Sequence, residues 1–282
     1  MKYVVITGAS TGIGYDAARY LIAKGFHVFG SVRKQADAER VQGELGKQFT
    51  PLLFDVTDEE AVKTAVSQVT EMVGDNGLAG LVNNAGIAVA GPLMYLSLDE
   101  MRWQMEVNLL GQLSVTQKFL PLLGAVPNAP HPPGRIVNIS SVSGKVVYPF
   151  MGPYAASKHA LEAMSDALRR ELLMFGVDVI VIGPGSVQTP IWDKAQDIDV
   201  EPYRETPYLG MMEGMKKTLV RQGKSGIPVE KVSEVIFEAL TKEKPKTRYA
   251  IARKLLSGWL LPRYLPARMF DNIVAKRLGL TK

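Results

Sequence analysis

The stretch TGASTGIG, residues 7–14, decides the fold. It lies between a short apolar run and an amphipathic pattern, so it predicts the turn from a first strand into a first helix. Glycines let the backbone turn sharply and approach a phosphate, and the helix N-terminus behind them offers free N–H groups and a positive dipole. A Gly-rich turn is also typical of any tight strand–helix connection. Its place at the start of a βαβ unit favours nucleotide binding.

The same alternation of strand and helix patterns continues along the chain. Runs rich in Val, Ile and Leu predict strands at residues 3–7, 27–32, 51–54, 80–83, 135–140, 177–182 and 248–252. Amphipathic stretches predict helices at residues 14–24, 37–46, 59–73, 98–123 and 154–175. Nearly continuous apolar strands are typical of a parallel sheet buried on both faces. The sequence therefore predicts an α/β, Rossmann-like, doubly wound and mainly parallel seven-stranded sheet in a single domain, residues 1–282.

Composition excludes several classes of protein. Hydrophobic residues make up 46% of the 282 residues and charged residues 22%, which is typical of a globular protein with a large core. The net charge of +5 is mild and most basic residues are scattered, so nucleic-acid binding is not expected. The absence of cysteine excludes disulfides and thiolate chemistry, and the three histidines lack ligand spacing, so no metal site is expected.

Targeting signals are not expected either. The first residues enter a strand pattern directly, and no run of 18 apolar residues follows, so we expect a cytosolic protein without a signal peptide or a spanning helix. The Pro-rich segment 127–134, which includes His131, predicts a surface loop.

The end of the second predicted strand indicates which cofactor is preferred. In dinucleotide-binding folds an acidic residue near this point binds the ribose 2′-hydroxyl of NAD. This chain has Val32 there, followed by Arg33 and Lys34. A guanidinium pairs with a 2′-phosphate, which a carboxylate would repel. The pattern predicts a preference for NADP(H), with NAD(H) as a second choice; alternatively, Arg33 is a solvated residue at a helix start.

Tyr154 and Lys158 are the candidate centre of chemistry. They lie four residues apart, on one face of a predicted helix. A lysine ammonium beside a phenol stabilises phenolate and would lower the tyrosine pKa from about 10 toward neutrality. Such a phenol can donate or remove a proton near working pH. Taken alone, this spacing is more typical of an ordinary surface helix pair.

The context of this pair resembles one enzyme family. The glycine spacing of residues 7–14 departs from the general G-x-G-x-x-G fingerprint and resembles the T-G-x-x-x-G-x-G of short-chain dehydrogenases/reductases. N-N-A-G at 83–86, Y-x-x-x-K at 154–158 and P-G-x-V-x-T at 184–189 follow in family order. The resemblance spans residues 3 to about 190, in seven motifs. Segments 24–29 and 247–249 are similar to the retinol and hydroxysteroid dehydrogenase branch.

The resemblance implies interconversion of an alcohol and a carbonyl by hydride transfer with a nicotinamide cofactor. It implies four catalytic residues: Asn108, Ser141, Tyr154 and Lys158. Tyr154 would move the proton and Lys158 would also bind the ribose hydroxyls. Ser141, thirteen residues before Tyr154, would hold the substrate oxygen, and its spacing favours it over its neighbours Ser140 and Ser143. Asn108 would hold a water of a proton relay.

The resemblance also implies a cofactor-binding set. Ser10 would contact the 2′-phosphate, Asp55 the adenine, and Val187 and Thr189 the nicotinamide carboxamide, although Asp55 is equally typical of a helix cap or turn. The whole predicted set is Gly8, Ser10, Thr11, Gly12, Ile13, Gly14, Arg33, Asp55, Val56, Asn83, Ala85, Gly86, Tyr154, Lys158, Pro184, Gly185, Val187 and Thr189.

The segment at about 188–227 occupies the place of the family's substrate lid. Its methionines and aromatic residues would form an adaptable apolar wall, which favours a lipophilic alcohol or ketone, such as a steroid or retinoid, over a polar sugar. The alternative is that these side chains pack the lid on the core. The candidate wall residues are Met94, Tyr95, Val147, Tyr148, Phe150, Met151, Ile191, Trp192, Tyr203, Tyr208, Leu209, Met211, Met212, Met215 and Leu219.

The helical extension at about 253–282 mixes aromatic and aliphatic residues with Arg and Lys. It is consistent with weak contact to a membrane surface, with a cover over the substrate pocket, or with a subunit interface. The resemblance implies a homodimer or homotetramer that pairs through the helices at 98–123 and 154–175. Alternatives to an enzyme of this kind are an NADP-binding sensor on the same fold, an epimerase or dehydratase of the extended branch, and a membrane-associated structural protein.

Overall fold

One parallel sheet forms the centre of the structure. The structure is a computed structural model and describes residues 1–190, 197–253 and 261–280. Within these residues the sheet has seven strands in the order β3-β2-β1-β4-β5-β6-β7, and every pairing is parallel. The doubly wound fold predicted from the sequence is confirmed. The strands are β1 Lys2–Ile6, β2 Phe26–Val32, β3 Phe49–Leu53, β4 Gly80–Asn83, β5 Arg135–Ile139, β6 Asp178–Pro184 and β7 Arg248–Ile251.

Helices cover both faces of the sheet. Those in the described residues are α1 Gly12–Ala23, α2 Gln35–Leu45, α3 Glu59–Val73, α4 Leu98–Met105, α5 Gly111–Phe119, α6 Gly152–Glu171, α7 Leu209–Lys224, α8 Glu230–Thr241, α9 Leu261–Tyr264 and α10 Ala267–Leu278. The start of α3 agrees with its sequence signature, because the Asp58 side chain caps the helix by accepting from the N–H groups of Glu60 and Ala61.

Alternate residues of β1 enter two different cores. Val4 and Ile6 pack with α1 and α8, whereas Val5 packs with α3, α5 and α6, and all three side chains are fully buried. This is the period of two expected of a strand that is covered on both faces. The two layers hold the ends of the strands in fixed positions.

The prediction of one continuous helix at 98–123 is wrong. A π-helical turn, Glu106–Leu110, separates α4 from α5, and α5 gives way to a 3-10 turn at Pro121–Leu123. Pro121 has no N–H to continue the helix. The π turn contains Asn108, and turns of this kind are frequent at functional sites.

The strand predicted at 51–54 begins two residues earlier, at Phe49. Phe49 and Thr50 pair with Val28 and Phe29 of β2. Pro51 is tolerated inside β3 because β3 is the edge strand, where a missing N–H is not needed by a neighbour on the open side.

The strand order reverses direction between β1 and β4. In open parallel sheets, the crevice at the carboxyl ends of the strands on either side of such a reversal binds ligands. The loops that leave β1, β4, β5 and β6 all lie at this edge, because the strands are parallel. These loops contain the glycine-rich stretch, the N-N-A-G segment, Ser141 and the P-G-x-V-x-T segment.

Candidate active site

The loop after β1 is shaped by its glycines. Gly8 and Gly12 have φ angles of +69° and +61°, in the region that only glycine enters without strain. Gly14 lies so close to the Gly8 carbonyl and the Asn84 amide that a Cβ would not fit. α1 begins at Gly12, and its N-cap residue Thr11 makes no side-chain cap hydrogen bond. The loop therefore presents the N-terminal N–H groups of α1, which suit a phosphate group.

Neighbouring strands brace this loop through polar side chains. The Thr7 hydroxyl accepts hydrogen bonds from the N–H groups of Asn84 and Ala85, each at 2.9 Å. The Asn84 amide donates to the carbonyls of Thr7 at 2.9 Å and Gly8 at 3.1 Å. Gly8 N–H donates to the Ser31 hydroxyl at 2.9 Å. Thr7, Ser31 and Asn84 were absent from the predicted set, although each lies at a strand end where such bracing is needed.

Asn83, which was predicted to contact the cofactor, lies away from the loop. Its buried amide donates to Thr116 at 2.8 Å and Asn138 at 2.9 Å, toward α5 and β5. Adjacent residues of a strand face opposite sides. In the N-N-A-G motif it is therefore the side chain of Asn84, and not that of Asn83, that holds the glycine loop in place.

Arg33 and Asp55 lie together at the ends of β2 and β3. The Arg33 guanidinium is 3.6 Å from the Asp55 carboxylate, and 63% of the arginine side chain is exposed. Asp55 also accepts from the N–H and hydroxyl of Thr57, at 3.0 and 2.9 Å, which is the turn role named as its alternative. Val56 is buried against Gly111 of α5.

Sequence reasoning missed a second arginine at this end of the sheet. Arg40, on α2, donates to the carbonyl of Ser10 at 2.7 Å. Asp37 and Glu44, one turn away on either side, hold its guanidinium at 3.2 Å each. The i, i+3 and i, i+4 spacing of these acidic residues was visible in the sequence. The contact with Ser10, thirty residues away, was not.

The proposed catalytic side chains converge where β5 ends and α6 begins. Lys158 is almost fully buried; its Nζ donates to the carbonyl of Ile139 at 2.8 Å and lies 5.9 Å from the centre of the Tyr154 ring. The Ser141 hydroxyl hydrogen-bonds the half-buried Tyr154 and accepts from Ser143 N–H at 3.1 Å. Ser141 is thus the serine beside Tyr154.

Burial dominates the electrostatics of this pair. Desolvation raises the pKa of Tyr154, and the hydrogen bond from Ser141 opposes it. Desolvation lowers the pKa of Lys158 to about 8, and the charge of Glu162 opposes it. The expectation that Lys158 brings the Tyr154 pKa toward neutrality is therefore wrong for this structure. The lysine charge is directed at the Ile139 carbonyl and is weakened by its own burial.

A row of buried amides supports the loop after β4. Gln104, Asn108 and Gln112 follow one another at intervals of four residues and are fully buried. Asn108 accepts from Ile87 N–H at 2.8 Å and donates to Ile87 C=O at 3.0 Å and to the Ser157 hydroxyl at 3.1 Å. The structure thus places Asn108 between the β4 loop and the second turn of α6. Its role in a water relay stays a prediction. The whole row could have been predicted from the sequence, because three polar residues recur every fourth position on an otherwise apolar helix face.

The row also places Gly86. A Cβ on Gly86 would lie 3.2 Å from the Asn108 side-chain oxygen and 3.8 Å from Lys158 Nζ. Gln112 donates to the Ala85 carbonyl at 3.0 Å, and Gln104 to the Ile87 carbonyl at 3.1 Å. Residues 85–87 therefore connect the glycine loop with Asn108 and Lys158.

The segment after β6 closes the opposite side of the crevice. Thr189 lies against Gly12, with its Cβ 3.5 Å from where a glycine Cβ would be. Gly185, just beyond Pro184, donates its N–H to Ile251 C=O at 2.7 Å, and Val187 pairs with Ile227. Thr189 thus brings the segment after β6 against the glycine loop.

A cavity of about 650 Å³ lies between the segment after β5 and the tail of the chain. Its lining includes the segment 145–150, which joins Ser141 to α6, and the tail from α9 onward. The Tyr148 and Phe270 rings meet across it at 5.9 Å. The charged members of the lining are Lys145 and Asp271, and most of the others are apolar.

The predicted apolar wall divides into two groups. Val147, Tyr148 and Phe150 line the cavity, whereas Tyr203 and Met212 of the lid are buried in a small core cluster with Phe150. Met94 is 76% exposed. The lid side chains thus pack on the protein, as the alternative interpretation held. Ile191 and Trp192 lie outside the described residues.

The tail packs with one face on the cavity. Phe270 and Val274 line it, whereas Met269 and Ile273 on the other side of α10 are 52% and 48% exposed. Of the three roles considered for the extension, the inner face fits the cover over a pocket. Among the described residues, none of the helices has the length and apolar character needed to cross a membrane, and no acidic, His or Cys group is arranged to hold a metal ion.

The chain is similar to a known family of enzymes over most of its length. The family model described as short chain dehydrogenase matches residues 2–199. The NADPH-dependent 3-dehydrocapnine reductase of Ornithobacterium rhinotracheale is 43% identical over 278 residues, covering 99% of this chain and 98% of the relative. The 17-beta-hydroxysteroid dehydrogenase type 6 of Bos taurus is 34% identical over 286 residues, covering 98% and 88%.

A solved structure agrees with these sequence relatives. A short-chain dehydrogenase/reductase from Burkholderia phymatum, in complex with NAD, superposes with a TM-score of 0.78 at 25% identity, covering 92% of each chain. The resemblance predicted from the motifs is confirmed.

Proposed function

Because the chain belongs to the short-chain dehydrogenase/reductase family, we propose that it is an NADP(H)-dependent oxidoreductase that interconverts an alcohol and its carbonyl on a lipophilic substrate. The observation that carries this proposal is the meeting of Ser141, Tyr154 and the buried Lys158 beside a glycine loop. That arrangement provides proton control next to a phosphate-binding turn.

The residues present fit a phosphorylated dinucleotide. The N-terminal N–H groups of α1 suit the pyrophosphate, and Thr189 faces the loop at Gly12. Arg40 contacts the Ser10 carbonyl, and Arg33 lies at the end of β2 beside Asp55. Both arginines would bind the 2′-phosphate, with Arg33 breaking its long pairing with Asp55. The relative that is 43% identical is named as NADPH-dependent, which supports the same preference. The bound nicotinamide would supply or accept the hydride.

The chain's own residues would control the proton. In carbonyl reduction, the Tyr154 hydroxyl donates its proton to the substrate oxygen, which the Ser141 hydroxyl holds in place. In alcohol oxidation, the phenolate accepts the hydroxyl proton. The Lys158 ammonium, whose Nζ lies 5.9 Å from the centre of the Tyr154 ring, would stabilise the phenolate as it forms.

The apolar lining of the cavity supports the proposed substrate class. Val147, Tyr148, Phe150 and Phe270 offer apolar surface in a cavity whose wall, residues 145–150, connects Ser141 to the helix that carries Tyr154. Such a wall binds an aliphatic or polycyclic body better than a sugar. A relative named as a hydroxysteroid dehydrogenase supports a lipophilic substrate.

The decisive test is Tyr154→Phe. We expect NADPH-dependent reduction of a panel of steroid, retinoid, aliphatic and aromatic carbonyls to fall at least 10²- to 10⁴-fold, roughly the contribution of a positioned acid, while NADPH binding persists. Tyr20→Phe, on α1 and facing Phe237, is the matched control and should keep its rate. Appreciable activity in Tyr154→Phe would remove Tyr154 from this role. Saturable NADPH binding by the wild type without turnover of any carbonyl would favour the sensor instead.

We also propose that this is a cytosolic enzyme that touches anionic membrane surfaces weakly. The outer face of α10 exposes Met269 and Ile273 beside Arg268, Lys276 and Arg277. Apolar side chains among basic ones are typical of helices that lie in a membrane interface. Sedimentation with anionic vesicles at low salt tests this, and protein that stays in the supernatant would refute it.

Assembly as a homodimer or homotetramer is proposed through α4, α5 and α6. Trp103 and Leu110 are 46% and 49% exposed near the π turn, where apolar surface is expected to be covered by a partner. Light scattering after size exclusion gives the mass directly. A monomer at micromolar concentration would contradict the proposal.

A further inference from the structure

A buried carboxylate lies directly behind the catalytic lysine. Glu162 is four residues after Lys158 on α6, and 4% of its side chain is exposed. Glu162 is not among the residues proposed above for proton transfer or cofactor binding. An isolated carboxylate in such a place would lose its charge, so its partners decide what it can do.

Two cations from other elements hold Glu162. The Lys145 ammonium is 3.1 Å from its carboxylate, and the Arg248 guanidinium is 2.7 Å away. Lys145 belongs to the segment between Ser141 and α6, and Arg248 begins β7. Gly144 packs on the Glu162 side chain, because a Cβ at that position would lie 3.0 Å from its Cγ. The carboxylate thus connects three elements that surround the catalytic group.

We propose that Glu162 is a positioning residue for the reaction: its carboxylate keeps Lys158 in the ammonium form and, through Lys145, fixes the Ser141 segment against α6. The first part follows from its place on the helix, since residues four apart on α6 lie on one face. The second follows from the two ion pairs. This proposal rests on the proton-transfer roles of Tyr154 and Lys158 proposed above.

The surroundings of Lys158 favour this assignment. Burial lowers its pKa to about 8, and the charge of Glu162 acts in the opposite direction. Toward β4, Lys158 faces Gly86 and Asn108, which carry no charge. The titratable or charged groups around Lys158 and Glu162 are Tyr154 on α6, Lys145 after β5, Arg248 on β7, and Asp166, which lies farther along α6 and also pairs with Arg248.

The test is a direct titration of Lys158 Nζ by NMR of lysine-labelled protein, with the resonance assigned by its loss in Lys158→Arg. In Glu162→Gln we expect the lysine pKa to fall by about one unit, because an opposite charge at short range is removed while the shape is kept. Asp166→Asn is the matched control. It removes a carboxylate that pairs with the same Arg248, at 3.4 Å, but lies a further turn from Lys158, so its titration should match the wild type.

A second variant should change the Lys158 pKa in the opposite direction. Lys145→Gln removes a cation that partly neutralises Glu162, so the Lys158 pKa should rise, and this prediction remains testable if Glu162→Gln does not fold. An unchanged Lys158 titration in either variant would overturn the proposal. The titration needs no turnover, so the result stands apart from the proposed enzymatic activity.

The rate profile separates an electrostatic role from a purely structural one. In Glu162→Gln the alkaline limb of NADPH-dependent carbonyl reduction should move to lower pH, while Asp166→Asn keeps the wild-type limb. A loss of rate by the same factor at every pH, with the limb in place, would refute the proposed control of Lys158.

Discussion

Replacement of Asn108 should separate the hydrogen bonds of the π turn from its packing. Asn108→Leu keeps the approximate size and branching of the side chain but removes its three contacts with Ile87 and Ser157. The three lost hydrogen bonds should differ in how much they lower the free energy of unfolding. Ile87 C=O still accepts from Gln104, and the Ser157 hydroxyl still donates to Tyr154 C=O at 2.8 Å.

The Ile87 N–H differs from these two groups. In the described residues Asn108 is its acceptor, so the substitution leaves this N–H without a hydrogen bond. An unsatisfied N–H costs about 1–3 kcal/mol, with the lower end fitting its partial burial, and each of the other two bonds contributes about 0.5–1.5 kcal/mol. The free energy of unfolding should therefore fall by about 2–4 kcal/mol.

Gln112→Met is the matched control. Gln112 lies one turn further on the same row and donates one hydrogen bond, to Ala85 C=O, while its own carbonyl oxygen is buried without a partner in the described structure. Its replacement by an apolar residue of similar shape removes that oxygen as well. We therefore expect a change within about 1 kcal/mol.

Urea unfolding followed by tryptophan fluorescence gives both values, provided that the denaturant slopes agree. If Asn108→Leu costs no more than Gln112→Met, the reasoning about the π turn is wrong. In that case the row of amides would not fix the β4 loop.

Three further predictions concern the cofactor, the pH dependence and the cavity. Arg33→Asp should shift the ratio of kcat/KM values from NADPH toward NADH, because a carboxylate repels the 2′-phosphate; an unchanged ratio would refute the assignment of Arg33. Carbonyl reduction should decline as the pH rises through about 8, since Lys158 loses its proton there while the raised pKa of Tyr154 keeps the phenol protonated; a flat profile to high pH would contradict this. Phe270→Ala should raise KM for long-chain ketones more than for short ones, whereas Met269→Ala, on the exposed side of α10, should leave both unchanged.

Local sequence patterns were sufficient to predict the sheet and to place Tyr154 and Lys158 on one helix. Apolar strands buried on both faces are visible as continuous runs, and the glycines of residues 7–14 are required by a backbone conformation that other residues avoid. The spacing of Tyr154 and Lys158 needs one helix, and the predicted helix exists. These features depend on neighbours in sequence, which a sequence pattern records.

Features that depend on contacts between distant elements were missed. Arg40 reaches Ser10 across thirty residues, and Asn84 reaches Thr7 across 77. The direction of the Tyr154 pKa shift was also missed, because burial is set by everything packed around the phenol. The π turn was read as continuous helix, since a single extra residue in a turn leaves the amphipathic pattern almost intact.

The two walls of the cavity have different freedom to change over evolutionary time. The segment 145–150 is fixed at one end by Ser141 and at the other by the helix that carries Tyr154, so any shift in it displaces the reacting groups. Among the described residues, the wall formed by α10 meets the first wall through contacts such as Phe270 with Tyr148 and adjoins neither Ser141 nor Tyr154 in the chain. Under the proposed function, exchange of α10 alone would change the substrate preference and leave Ser141 and Tyr154 in place.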